Sequence, residues 1–283
     1  MKTRQAPAKV NLALDILGSR PDGYHEMRMV MQTVSLCDVV SVEEAETGFT
    51  LRSDFVPAGK KTLEQQAAEA FFEAAGQRMP GLQVTLEKNT PAYAGLGGGS
   101  ADVAALLRIL RDVYAPAMGE DMLERVGARV GSDMPFCVRG GTALAEGRGE
   151  VLTDLAPLPL CWFVLCKPDF GIPTPQLFAR VDEGRFSTRP DIDGLCAALG
   201  RGDLLAVAAR LGNVFEQVLP EEFHEVFSIK ARLRELGALN AAMSGSGPTV
   251  FGIFTRREDA CRAAVSLRET YRQTYLAYPV KKF

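Results

Sequence analysis

One stretch constrains the fold of this 283-residue chain more than any other: Pro91-Ala92-Tyr93-Ala94-Gly95-Leu96-Gly97-Gly98-Gly99-Ser100-Ala101-Asp102. Before it, Leu82, Val84 and Leu86 alternate with Gln83, Thr85 and Glu87, the pattern of a strand with one buried face. After it, Val103, Leu106, Leu107, Leu110 and Val113 fall at helical spacing. The chain must therefore turn from strand to helix through four glycines, whose backbone can bring N–H groups close to a ligand. Ser100 is expected to cap the helix. An anion held in such a loop meets the positive end of the helix dipole, and phosphate is the guest that fits.

Two better-known glycine motifs do not match. A dinucleotide fingerprint needs G-x-G-x-x-G, but counting from Gly95 the sixth position is Ser100, and counting from Gly97 it is Asp102. The Walker pattern needs a lysine after its second glycine, and no lysine stands between Thr90 and Lys167. Apolar residues make up 47% and charged residues 24%, ordinary for a globular chain, so disorder is excluded. A formal net charge of −3 gives no electrostatic reason to expect nucleic acid or an anionic membrane as partner. The apolar stretch after Met1 is broken by Lys9, Asn11 and Asp15, and Leu155–Cys166 is too short to span a bilayer. A cytoplasmic location is the expectation. Six cysteines without a C-x-x-C pair read as buried, reduced thiols, and two histidines, His25 and His224, make a histidine-built metal site improbable.

Along the rest of the chain, helices are expected at 64–75, about 120–130 and about 257–270, and strands at 136–138, 249–254 and 275–280. The glycines at 140, 141, 147 and 149 punctuate two short strands of a small antiparallel sheet. Thr174-Pro175 reads as a cap and a first-turn proline. Asp203 reads as the cap of a helix whose stripe runs from Leu204 through Val207, Ala208, Leu211, Val214 and Phe215 to Val218. A second stripe is Phe223, Val226, Phe227, Leu233 and Leu236. The composition shift near Pro157 divides the chain at 155/156, with an α+β second half of helices on an antiparallel sheet.

Four further segments carry chemistry-bearing side chains. In Pro7-Ala8-Lys9-Val10-Asn11-Leu12, Lys9 and Asn11 share one strand face and could bind an anionic or hydroxylated ligand. Taken alone, the pair reads first as a solvated face. In Arg20-Pro21-Asp22-Gly23-Tyr24-His25 a turn delivers an aromatic and an imidazole that could stack on a planar base, or simply flank a hairpin. Asp133, in Gly131-Ser132-Asp133-Met134-Pro135, caps a turn or serves as an acid/base group beside a reacting hydroxyl. Ser244-Gly245-Ser246-Gly247-Pro248 is, by itself, a turn.

Together these segments resemble the GHMP family of small-molecule kinases. Pro-x-x-x-Gly-Leu-Gly-Gly-Gly-Ser from Pro91, Pro-Ala-Lys-x-Asn-Leu from Pro7 and Ser-Gly-Ser-Gly-Pro from Ser244 carry the resemblance, which spans residues 7 to about 254. Arg20–Glu26, Gly131–Phe136 and Ile172–Pro175 narrow it to the branch that acts on a cytidine-diphosphate-linked alcohol. The resemblance implies an α+β, two-domain GHMP kinase fold: a ribosomal-protein-S5-like ATP-binding domain over 1–155 and a ferredoxin-like α/β domain over 156–283, with the active site in the cleft between them. It implies ATP with Mg²⁺, and transfer of the γ-phosphoryl group to a substrate hydroxyl in isoprenoid-precursor synthesis.

By this analogy Pro91, Ala92, Tyr93, Ala94, Gly95, Leu96, Gly97, Gly98, Gly99, Ser100 and Ala101 hold the nucleotide phosphates. Asp133 receives or orients the hydroxyl proton, and Lys9 offsets developing charge and positions Asp133. The substrate's cytidine end meets Tyr24, His25, Thr174 and Phe178, with Asn11, Ser244, Gly245, Ser246 and Gly247 near its polar groups. Tyr93 stands where the family's loop carries a small residue, and no acidic Mg²⁺ ligand can be assigned. Phosphoryl transfer asks mainly for positioning and electrostatic stabilisation, so the missing Walker lysine is no objection. The expected assembly is a monomer or weak homodimer. Rival readings are a kinase of the homoserine or mevalonate type, against which Tyr24 and His25 speak, and a non-catalytic nucleotide-binding regulator, against which Lys9 and Asp133 speak.

Overall fold

In the computed structural model, which describes residues 1–54, 61–184 and 186–282, the strand expected before the glycine loop and the helix expected after it are both present. The chain runs through β1 (Lys2–Ser19), β2 (His25–Ala45), β3 (Phe49–Arg52), α1 (Leu63–Ala74), β4 (Gly81–Glu87), α2 (Gly98–Tyr114), α3 (Glu120–Ala128) and α4 (Met134–Arg139). It continues through β5 (Thr142–Gly147), β6 (Val151–Asp154), β7 (Trp162–Lys167), α5 (Thr174–Glu183), α6 (Ile192–Gly200), α7 (Leu204–Ala209) and β8 (Gly212–Asn213). The last elements are α8 (Glu225–Glu235), β9 (Asn240–Met243), β10 (Val250–Phe254), α9 (Arg257–Arg268) and β11 (Gln273–Ala277). Two units result: Met1–Ala8, Cys37–Thr90 and Gly97–Arg139 form one, and Lys9–Leu36, Pro91–Leu96 and Gly140–Phe283 the other.

In the first unit, β4 pairs antiparallel with the second half of β2, from Val39 opposite Glu87 to Ala45 opposite Gly81, and β3 runs parallel to β4. Leu82, Val84 and Leu86 point inward as their alternation requires. Helix α2 packs against α1, α3 and α4, and every residue from Ala101 to Leu110 is buried. This helix starts earlier than expected: Gly97, with φ 66°, is its cap and makes no side-chain cap bond, so Ser100 lies inside the first turn. The left-handed conformation at Gly97 lets the chain enter the helix directly, leaving its first N–H groups uncapped.

The segment expected as a strand at Phe136–Val138 is instead helical, within α4. Three apolar residues have no readable period, and Pro135 in the first turn, where its missing N–H is not needed, favours the helix. The glycines at 140 and 141 then end it in positive φ.

In the second unit, β5 and β6 form the expected antiparallel pair, with β5 against the first half of β2. A separate antiparallel sheet has the order β11-β7-β10-β9, with α8 against β9 and β10 and α9 against β11 and β7. That order and the β-α-β-β-α-β succession are those of a ferredoxin-like fold. Phe163 and Phe251 meet edge to face at 5.9 Å in its core. Helix α5 starts at Thr174 with Pro173 as its cap, one residue before the expected one. Asp203 does cap α7, accepting from Ala206 N at 3.0 Å.

The helix expected to run on to Val218 stops at Ala209. Gly212 and Asn213 instead pair parallel with Ala13 and Leu14 of β1, and Val214–Val218 is a short 3-10 turn. On α8 the buried stripe is Val226, Ile229 and Leu233, while Phe227 is 38% exposed. The last strand ends at Ala277, and α6 and β9 lie where no element was expected. All six cysteines are free; Cys137, Cys161 and Cys166 are buried, the other three half-buried. Among the described residues no helix is long and apolar enough to cross a membrane.

Candidate active site

Strand β1 is buried on both faces from Ala6 to Ile16. Its even-numbered positions are apolar, but the other face carries Lys9, Asn11 and Asp15, exposed by only 4%, 0% and 5%. A solvated face is thereby excluded, and buried polar groups need partners. Lys9 Nζ donates to Asn11 Oδ1 at 2.8 Å, and Asn11 Nδ2 reaches Met29 Sδ at 3.1 Å. The Lys9 amide donates to Leu96 O at 2.9 Å, which ties the lysine's strand to the first half of the glycine loop.

The second glycine loop closes on the same place. Ser244 Oγ donates to Gly95 O at 2.9 Å and accepts from Asn11 N at 3.3 Å, and the Thr249 amide donates to Ala94 O at 3.3 Å. Gly95 has φ 73°, and a Cβ there would stand 2.1 Å from Ser244 O. Only glycine permits that approach. Asn213 holds the Ser244 loop from behind, its Nδ2 donating to Met243 O and Gly245 O, both at 2.8 Å. Ser246 Oγ lies 2.7 Å from Thr174 Oγ1 at the start of α5. Tyr93, with φ 50° and 76% exposure, is the one residue of the loop that bears a side chain in left-handed backbone.

One turn along α5 from Thr174 is Phe178, stacked on His25 with ring centroids 4.5 Å apart. His25 Nε2 lies 2.9 Å from Asp182 Oδ1, and Ser19 Oγ donates to the same oxygen at 2.8 Å. These hydrogen bonds, that of His25 foremost, hold the Asp182 carboxyl below the usual carboxylate range. A cavity of about 410 Å³ opens here, bordered by Ile16, Gly18, Ser19, His25, Asp182 and Phe186. Tyr24 is half-exposed at the end of a turn closed by Arg20 N donating to Tyr24 O at 2.7 Å, and the Arg148 guanidinium lies over its ring at 4.8 Å. Thus Lys9, Asn11, Tyr24, His25, Ala94, Gly95, Leu96, Thr174, Phe178 and Ser244–Gly247 are all parts of the second unit.

The first unit holds Gly97, Gly98, Gly99, Ser100 and Ala101 at the head of α2, and Asp133 just before α4. No acidic residue lies in the first turn of α2, so its uncapped N–H groups present an unopposed positive end. Helix α4 packs on α2, and the buried Arg108 of α2 donates to Cys137 O and Val138 O, both at 2.9 Å, at the other end of α4 from Asp133. Burial pushes the Arg108 guanidinium down to about 10. Below the loop, Lys88 bridges Asp38 and Asp102, and burial pushes the Asp102 carboxyl up to about 7 against the pull of the Lys88 charge.

Sequence reasoning missed Asp38, Lys88, Arg108, Asp182 and Asn213. Lys88 was readable as the last cation before the loop; the others pair across 29 to 163 positions, which no local pattern reveals. Among the described residues no group of three or more histidine, cysteine, aspartate or glutamate side chains could hold a metal ion.

The geometry has counterparts. The family described as GHMP kinases N terminal domain matches residues 62–141, and GHMP kinases C terminal matches residues 193–273. A 4-diphosphocytidyl-2-C-methyl-D-erythritol kinase of Clostridium tetani is 38% identical over 96% of this chain and 98% of its own length. One of Geobacillus kaustophilus is 42% identical over 88% of this chain and 87% of its own length. A crystal structure of 4-(cytidine 5'-diphospho)-2C-methyl-D-erythritol kinase superposes with a TM-score of 0.83 at 35% identity, covering 98% of this chain and 99% of that one. Sharing both family domains and end-to-end likeness with these enzymes, the chain belongs to the GHMP kinases.

Proposed function

We propose that this protein transfers the γ-phosphoryl group of ATP to the 2-hydroxyl of 4-diphosphocytidyl-2-C-methyl-D-erythritol, giving ADP and the 2-phosphate in the non-mevalonate route to isopentenyl diphosphate. The observation that carries the reading is the second unit's arrangement along β1 and α5: the Lys9–Asn11 pair and the Ser244–Gly247 loop at one place, and the His25–Phe178 stack one helical turn further on. One end suits phosphate and hydroxyl groups, the other a planar base. The relatives named above, 38% and 42% identical, support the same substrate. The two family matches fall on either side of a boundary at 155/156, which we take as the division between the ATP-binding and C-terminal domains.

In this reading Pro91–Ala101 hold the nucleotide phosphates, with the head of α2 supplying uncapped N–H groups. Magnesium enters as the counter-ion of ATP and is part of that substrate. The hydroxyl oxygen forms a bond to the γ-phosphorus as the bond from that phosphorus to the β-bridging oxygen breaks, ADP leaves, and the hydroxyl proton passes to Asp133. Lys9, oriented by Asn11, offsets the charge that develops on the transferred group. Tyr24, His25, Thr174 and Phe178 select the cytidine end, and Asn11 and Ser244–Gly247 bind the polar groups of the substrate.

Coupled ADP release with Mg²⁺-ATP, run in parallel on the cytidyl substrate, homoserine and mevalonate, tests the reading. Turnover on the cytidyl substrate alone is expected. Turnover on another alcohol alone removes Tyr24 and His25 as selectors, and ATP binding without turnover on any of them points to a regulator.

A further inference from the structure

We propose that Lys88, Asp38 and Asp102 form a staple that fixes both ends of the glycine loop and thereby sets the affinity for the nucleotide's phosphates. The inference rests on the assignment of that loop to ATP.

The three side chains come from three elements of the first unit. Asp38 lies in β2, Lys88 directly follows β4, and Asp102 lies in the second turn of α2. Asp38 and Asp102 are almost wholly buried, with side-chain exposures of 0% and 2%, and Lys88 is 26% exposed. Lys88 Nζ donates to Asp38 Oδ2 and, at 2.5 Å, to Asp102 Oδ2. The other oxygen of Asp38 accepts from the amides of Asn89 and Thr90, each at 2.6 Å. One carboxylate thus holds the backbone where the chain enters the loop, and through Lys88 the same carboxylate holds the helix into which the loop runs. The two ends also touch: a Cβ on Gly98 would lie 3.0 Å from Thr90 Cγ2.

This cluster is a poor source of stability. Desolvating three charged groups offsets much of their attraction, and apolar side chains of equal volume commonly do as well. Asp102 Oδ1 and Thr90 Oγ1, both buried, have no hydrogen-bond partner among the described residues, a further cost. What the cluster supplies is geometry. Phosphate binding by backbone amides depends on those amides being aimed before the ligand arrives, and loop ends pinned by charge-assisted bonds meet that need.

The test is direct binding of a non-hydrolysable ATP analogue by calorimetry, together with KM and kcat, for Lys88→Met, Asp102→Asn, Lys88→Arg and, as the loop control, Gly98→Ala, with thermal melting for each. Folded Lys88→Met and Asp102→Asn are expected to bind the analogue roughly tenfold or more weakly and to raise KM for ATP. They should retain kcat at saturating ATP and KM for the alcohol, and Lys88→Arg should restore binding. If Lys88→Met does not fold, Asp102→Asn, which keeps shape and removes the charge, decides alone. Wild-type affinity in a folded charge-removing variant, while Gly98→Ala weakens binding, overturns the staple. An unaltered affinity in Gly98→Ala overturns instead the assignment of the loop to ATP.

Discussion

Asp133 stands where a short helix begins, and in the proposed reading it takes the hydroxyl proton, so removing its charge should separate chemistry from binding. Asp133→Asn is expected to lower kcat by about 10²–10⁴-fold while leaving the dissociation constant for ATP within about twofold, measured by single-turnover kinetics and calorimetry. A second residue-level prediction concerns pH. Asp102 titrates near 3.8 when solvated and about 7 in the fold. Between those values the folded chain keeps a proton that the unfolded chain releases, so this residue's contribution to stability falls as pH rises from about 4 to about 7 and is level above. Lys88, whose ammonium is raised by the two carboxylates, loses its charge only above that window. Denaturant midpoints should therefore show wild type losing stability relative to Asp102→Asn across that window; a pH-independent difference contradicts the assignment. At this scale the sequence was most informative where side chains are close in the chain. Lys9 and Asn11 share a face because of strand periodicity, but their burial depends on neighbours 87 and 233 positions away.

Elements were legible where their periodicity was long. The strand at Gly81–Glu87 and the helix from Gly98 carry five or more patterned residues, and both elements are present, the helix starting earlier than expected. Phe136–Val138 offered three apolar residues, too few to distinguish a period of 2 from one of 3.6, and tertiary packing on α2 and α3 decided for a helix. The stripe from Leu204 to Val218 has helical spacing throughout, yet the helix stops at Ala209, and pairing of Gly212–Asn213 with β1 and the three hydrogen bonds of Asn213 outweigh propensity. The two glycine loops were read as separate motifs and are one packed unit around Gly95. Gly95→Ala should accordingly displace the Ser244 loop, destabilise the protein by about 1–3 kcal/mol in denaturant titrations and weaken ATP binding, since overpacked backbone must move. An alanine variant of wild-type stability and affinity would show that the close contact is not required.

For the whole molecule, the motifs that carry the family resemblance fall in both units and run from residue 7 to about 254. Composition and net charge limited only the class of partner. The substrate was legible through resemblance at the Arg20–His25 turn, because which base an aromatic stack accepts is not written in periodicity or charge. The most direct test is product analysis: purified protein incubated with Mg²⁺-ATP and 4-diphosphocytidyl-2-C-methyl-D-erythritol, with ADP and the alcohol's phosphorylation state followed together by mass spectrometry and ³¹P NMR. The account predicts one new phosphomonoester per ADP, on the 2-hydroxyl, with both products formed at least about 10²-fold more slowly by Asp133→Asn. ADP formed without a phosphorylated alcohol, or a phosphate on another hydroxyl, would contradict it.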